Sequence, residues 1–95
     1  MRFTWDEAKN RANQAKHGLS FETARRVFDD PDHLSVQDRI EGGEERWQTL
    51  GRIGAVVVVL VAHTWTYHDD TGEETIRLIS ARKATRRERE RYEQG

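Results

Sequence analysis

The chain has no cysteine, one proline and one methionine. Without cysteine there is neither a disulfide framework nor a thiolate zinc site, and the composition fits a reducing cytoplasm. The longest apolar run goes only from Ala55 to Ala62, far short of the ~20 residues that span a bilayer. The first ten residues, MRFTWDEAKN, lack the apolar core of a signal peptide. A Walker loop, a G-x-S-x-G elbow and a dinucleotide fingerprint are also missing. His17, His33, His63 and His68 show no H-E-x-x-H or comparable ligand spacing. These absences point to a soluble, cytoplasmic chain with no membrane association, no metal and no cofactor.

What is present is charge. Charged residues make up 35% of the 95 residues, apolar residues another 35%, and the net charge is −1. The balance is uneven along the chain. From Thr75 to Gly95 there are seven Lys/Arg against three Asp/Glu, and before that nine against fourteen. A basic end on an acidic body points to a polyanion or an acidic protein met at one edge, and equally describes a solvated terminal helix.

The length fits one small domain over residues 1–95 with a thin core. Arg2 to Trp5 reads as a short strand. Asp6 then caps a helix with Trp5, Ala8, Ala12 and Ala15 on one face, ended by Gly18 behind Lys16 and His17. Ser20 caps a second helix with Phe21, Ala24, Val27 and Phe28 inward, stopped at Asp29, Asp30 and Pro31. Beyond it, HLSVQD reads as a strand, IEGGE as a loop, ERWQTLGRI as a strand and Gly54 as a tight turn. The run AVVVVLVAHTW is a central strand covered on both faces, and TIRLISARK is its partner. Thr85 and Glu88 have capping-box spacing for a basic helix over about 85–93, with Tyr92 its only large apolar side chain and Arg86/Glu90 and Arg89/Glu93 as pairs. The whole reads as α+β: a small antiparallel meander with two N-terminal helices packed on it and a C-terminal helix.

The residue types left for chemistry are cations and a few proton carriers, the minimum for cutting RNA without a metal. A base takes the 2′-hydroxyl proton, an acid protonates the 5′-oxygen, and fixed positive charge stabilises the phosphorane-like transition state. Arg77 is set inside an apolar strand, where a guanidinium needs solvent, a partner or a groove. It equally fits a cross-strand ion pair with Glu45 or with a neighbour of Arg46. Strand alternation separates Arg77 from Arg82, so they share a site only if the strand bulges or ends near Ala81. Two arginines far apart, each with its own carboxylate and no common concavity, would leave only a partner-binding role.

Lys16 and His17 compensate the helix dipole in one reading; in another, His17 carries a proton and Lys16 binds phosphate. Trp5, Trp47 and Trp65 read as core residues, with a base-stacking platform as the alternative, and His63 as a hydrogen-bonded strand histidine. A metal-dependent hydrolase around His63, His68 and Asp69 is a weaker alternative.

The blocks WDEAKNRANQAKHGLSFETARRVFDDP, GEERWQTLGRI and IRLISARKATRRERERYE, in that order, resemble the BrnT family, the toxin half of a bacterial type II toxin–antitoxin pair. The resemblance implies a compact α+β domain similar to the RelE ribonucleases, which arrests translation by cutting RNA. It also implies a co-encoded, BrnA-like antitoxin of ribbon-helix-helix type, through which operator DNA is met indirectly, and a homodimeric or hetero-oligomeric assembly. Carried onto the matching positions, it makes Arg77 and Arg82 the holders of the scissile phosphate, and leaves the base between His17 and Glu45 and the leaving-group acid between Tyr92 and Lys16. Arg46, Lys83 and Arg86 join Lys16 as phosphate ligands. The competing reading is a non-catalytic module that serves a DNA-binding partner as scaffold and co-repressor.

Overall fold

The computed structural model describes residues 1–55 and 57–95; Val56, within the apolar run expected to form the central strand, lies outside them. The elements in chain order are β1 (Arg2–Thr4), α1 (Glu7–His17), α2 (Phe21–Ala24, continued by a 3-10 turn Arg25–Asp29), β2 (Leu34–Glu41), β3 (Glu44–Ile53), β4 (Val57–His68), β5 (Glu73–Lys83) and α3 (Arg86–Gln94). The sheet order is β1-β5-β4-β3-β2. Strands β2 to β5 form the expected antiparallel meander with β4 in the middle.

The sheet is nevertheless mixed, not wholly antiparallel, because β1 pairs in parallel with β5 through Phe3 and Ile76. A tight turn obliges consecutive strands to run antiparallel. No such turn joins β1 to β5, so its direction is free. The strands also run further than expected. The five-residue loop IEGGE reduces to a turn at Gly42 and Gly43, whose φ values of 58° and 81° suit a hairpin of the primed type.

The caps are as expected. Asp6 Oδ1 accepts from the Ala8 and Lys9 N–H groups, and Gly18 at φ 68° ends α1 with its N–H on the Gln14 carbonyl. The inward face of α1 is different. Ala8, Ala12 and Ala15 are exposed, and Asn10 and Asn13 are buried. Asn10 Oδ1 accepts from the Phe21 N–H at 2.8 Å, and Asn13 bonds to the Leu19 carbonyl and to Ala81. The free edge of β5 and the start of α2 need hydrogen-bonding partners, which alanine cannot supply.

On the α1/α2 side the core consists of Phe21, Ala24, Val27, Val59, Val61, Ile76, Leu78 and Ala81. His63 lies under the same side, edge-on to Phe28, with Nε2 2.7 Å from Thr49 Oγ1 and Nδ1 3.1 Å from the Thr64 carbonyl. This pattern fits a neutral ring with the proton on Nδ1. Burial lowers the His63 pKa, against the backbone bond, which raises it. A smaller cluster on the opposite side, Leu50, Val58, Leu60 and Tyr92, docks α3. Trp5 packs edge-on against Phe21, whereas Trp65, expected in the core, is 42% exposed. Its place on β4 lies beyond the span that the helices cover.

Among the described residues no helix is long and apolar enough to cross a membrane, and no group of three or more His, Asp or Glu is gathered to hold a metal ion. His63 is buried while His68 and Asp69 are exposed, so that trio forms no site.

Candidate active site

Strand β5 buries Ile76, Leu78 and Ala81. Strict alternation cannot put all three on one face. The register explains it: His63 pairs with Leu78 and Ala62 with Ser80, so Ile79 is an unpaired bulge residue. The extra residue resets the alternation, and Arg77 and Arg82 emerge on the same face, the one opposite α1 and α2.

On that face the pairing Arg39↔Arg46, Arg46↔Thr64 and Thr64↔Arg77 lines up three arginines in one row across the sheet. A second bulge, at Asp38 on β2, brings Arg39 into register. Carboxylates are interleaved with the row. Glu44 Oε1 accepts from Arg77 Nη2 at 2.7 Å and lies 3.7 Å from Arg46 Nη2. Arg39 meets Asp38 and Glu41, each at 3.1 Å. Arg46 Nε is buried without a hydrogen-bond partner among the described residues.

Arg82 sits two paired rows away, opposite Leu60. It donates to both oxygens of Glu88, at 2.7 and 3.0 Å. Glu88 is also the N3 residue of the α3 capping box with Thr85. The Arg82 hydrogen bonds hold the Glu88 carboxyl down to about 2, against the opposing effect of burial. The same pair raises the Arg82 pKa. Between the row and Arg82 lies a concavity of about 230 Å³ whose lining includes Arg39, Arg46, Gln48, Ile79, Ser80 and Arg82. Arg77 shares the face but is not part of that lining, and Arg77 and Arg82 each have their own carboxylate.

A sequence model of the BrnT_toxin family, described as "Ribonuclease toxin, BrnT, of type II toxin-antitoxin system", matches residues 5–88. The chain belongs to the BrnT ribonuclease toxins. In fold it is similar to the crystal structure of the Brucella abortus ribonuclease toxin BrnT, with 25% identity, a TM-score of 0.69, and coverage of 90% of this chain and 99% of that one. A comparison with curated proteins finds no match.

The part matched to the BrnT family contains the arginine row, both bulges, Arg82 and Glu88; Tyr92 falls after it. The Tyr92 hydroxyl donates to Asp30 Oδ2, its ring lies 5.5 Å from the Arg52 guanidinium, and its side chain is buried. Burial, and then the Asp30 bond, raise its pKa. Burial also pushes the Asp30 carboxyl up, but the donors Tyr92, Arg52 N–H and Asp32 N–H outweigh it and leave the carboxyl lowered.

Lys16 and His17 end α1, one turn beyond Asn13, which is bonded to Ala81. No hydrogen bond or ion pair among the described residues joins either of them to Arg82. Lys83 pairs with Val59, a residue of the core on the helix side, so it faces away from Arg82. Arg86 is exposed on α3 and paired with Glu90 at 3.3 Å. Glu45 stands next to Glu44 on β3, and it is Glu44, not Glu45, that touches Arg77. Sequence reasoning gave a bulge in β5 as the condition for Arg77 and Arg82 to share a site, and the strand has it at Ile79; it missed Glu44, Arg39 and the bulge at Asp38. The signal for Glu44 was weak: it adjoins the Gly42-Gly43 turn and looks like loop.

Proposed function

We propose that the arginine-bearing open face is the RNA surface of this BrnT ribonuclease, and that it cleaves the phosphodiester without a metal. Arg46 and Arg82, which line one concavity, meet the scissile phosphate and the charge that develops on it, and Arg77, outside that lining, holds a neighbouring phosphate of the RNA strand. The substrate's own 2′-hydroxyl is the nucleophile, so no water needs activation. Glu44, in contact with Arg77 and half-exposed on the open face, takes the 2′-hydroxyl proton, and the leaving oxygen takes its proton from solvent water. Arg86, exposed at the start of α3, lines the approach. Tyr92 acts through α3: with its hydroxyl committed to Asp30, it docks the helix that places Glu88 behind Arg82.

The observation that carries this reading is the Ile79 bulge, which brings Arg77 and Arg82 to one face beside Arg46. The consequence for the cell is arrested translation in the cytoplasm. Silence is imposed by an antitoxin of ribbon-helix-helix type, whose acidic surface competes for the same arginines and through which the pair meets operator DNA. Such use of fixed cations is also how a RelE-like ribonuclease would act.

One observation favours the non-catalytic reading. Arg77 and Arg82 are already neutralised, by Glu44 and Glu88 respectively. A scaffold that only binds a DNA-binding partner needs no free guanidinium. The test is RNA cleavage by purified protein in EDTA, together with growth arrest on induced expression. The nuclease cuts RNA with chelator present, and Arg82→Ala abolishes both effects while circular dichroism shows a folded protein. Undiminished toxicity of Arg82→Ala discards the site; intact RNA with partner binding retained selects the scaffold.

A further inference from the structure

The side of the sheet that carries α1 and α2 is bare at one end. Trp65 pairs with Ile76, a core residue on that side, and Trp47 pairs with His63, which lies under Phe28. By alternation Tyr67 and Glu45 share this side, and so do their cross-strand partners Glu74 and Ile40. Ile40, Trp65 and Tyr67 are 67%, 42% and 60% exposed. Trp47 meets Trp65 edge-on, with ring centroids 5.7 Å apart and planes at 73°, so the indole is held in place before anything binds and docking on it costs less entropy. Glu45 and Glu74 stand among these rings, and neither is ion-paired among the described residues. Of the strand cations only Lys83 faces this side, and it stands at the far end, against Val59. A cleft of about 330 Å³ between the β2–β3 and β4–β5 hairpins has Glu45 and Trp65 in its lining; Glu44, which also lines it, is tied to Arg77.

Exposed tryptophan and tyrosine gathered on one patch are the composition of a protein interface. Charge decides what covers it. RNA phosphates are repelled by the two free carboxylates, and a second copy meeting this face across a twofold axis would set the acidic patch against itself. A cationic segment fits: an arginine or lysine enters the cleft, paired with Glu45 and lying over the Trp65 ring, while apolar neighbours cover Tyr67 and Ile40. Position decides whose segment it is. In the free edge strand β2, Ile40 on this side adjoins Arg39 of the arginine row on the other, so one chain clasping that edge touches both faces. We propose that this patch is a second foothold of the antitoxin, taken by a segment that combines cationic and apolar side chains. The inference rests on reading the arginine face as the place where the antitoxin silences the enzyme. It puts much of the binding affinity on the face opposite the cutting site, so toxicity and neutralisation are separable by mutation.

The test uses the full chain and the antitoxin encoded beside it, with binding measured by titration calorimetry and growth followed on induced expression of both. The double variant Trp65→Ser, Tyr67→Ser is expected to bind the antitoxin on the order of thirtyfold or more weaker and to go on arresting growth when the antitoxin is co-expressed. Glu45→Lys, at an exposed position, shifts both readouts the same way and carries the test alone if circular dichroism shows the double variant unfolded. Binding and neutralisation equal to the parent's in the folded variants overturn the proposal, as does a parent that does not bind the antitoxin. A parent that is dimeric without antitoxin and monomeric in the double variant also overturns it, and assigns the face to a second copy. RNA cleavage is scored separately: a parent that binds the antitoxin through Trp65 and Glu45 but cuts no RNA keeps this foothold and loses the nuclease reading.

Discussion

The side-chain amide of Asn13 is paired with the backbone of Ala81, 68 positions away, as another strand would be: Nδ2 donates to the Ala81 carbonyl at 2.8 Å and Oδ1 accepts from its N–H at 3.1 Å. β1 covers β5 only from Thr75 to Arg77. Asn13 serves the edge further along, and does so at the residue that precedes Arg82.

Replacing Asn13 with alanine leaves both Ala81 backbone groups buried without partners, at about 1–3 kcal/mol for each. The expected result is a lower urea midpoint with an unchanged slope. Asn13→Asp keeps the acceptor but lacks the donor and buries a charge, so it is at least as damaging at neutral pH. A midpoint equal to the parent's would mean that Asn13 does not secure this edge.

Acid should loosen α3. The Glu88 pKa falls from its ordinary value of 4.5 to about 2 in the folded chain. A carboxyl with a depressed folded pKa contributes stability that is complete above its unfolded value and is lost as pH falls through the folded one. The difference in unfolding free energy between the parent and Glu88→Gln should therefore be constant above pH 4.5 and shrink as pH drops toward 2. A difference that does not vary across this window would show that the Arg82 pair adds nothing to stability.

Gly51 on β3 is a packing constraint. A Cβ there would stand 2.6 Å from Val27 Cβ and 2.7 Å from the Val27 carbonyl oxygen. Gly51→Ala should force the 3-10 turn off the sheet and cost about 1–3 kcal/mol, as overpacking does. Thermal unfolding reads this directly, and a variant as stable as the parent would mean that the turn moves freely.

Much of the fold was legible because its signals are local. Asp6, Gly18, Ser20, Thr85 and Glu88 act within a few residues of themselves, and each works as its spacing predicts. The apolar run ending in His63 could only be a covered strand, and it is the central one. The face of α1 was misjudged for the same reason. An alanine stripe looks inward when periodicity is all there is, yet the binding partners of Asn10 and Asn13 are backbone groups of other elements, invisible from the helix itself.

The site divides along the same line. Sequence by itself determined that guanidinium groups gather on and behind the last strand, that no thiolate chemistry is available, and which family's motifs the chain carries. Only the tertiary structure decided that Arg77 and Arg82 share a face, that Arg39 and Arg46 complete a row with Arg77, and that Glu44 is the carboxylate in contact. The reason is physical. A strand's alternation is fixed by its backbone, but a bulge is placed by the register of two strands packed on a core, and one inserted residue, Ile79, reverses the facing of everything beyond it.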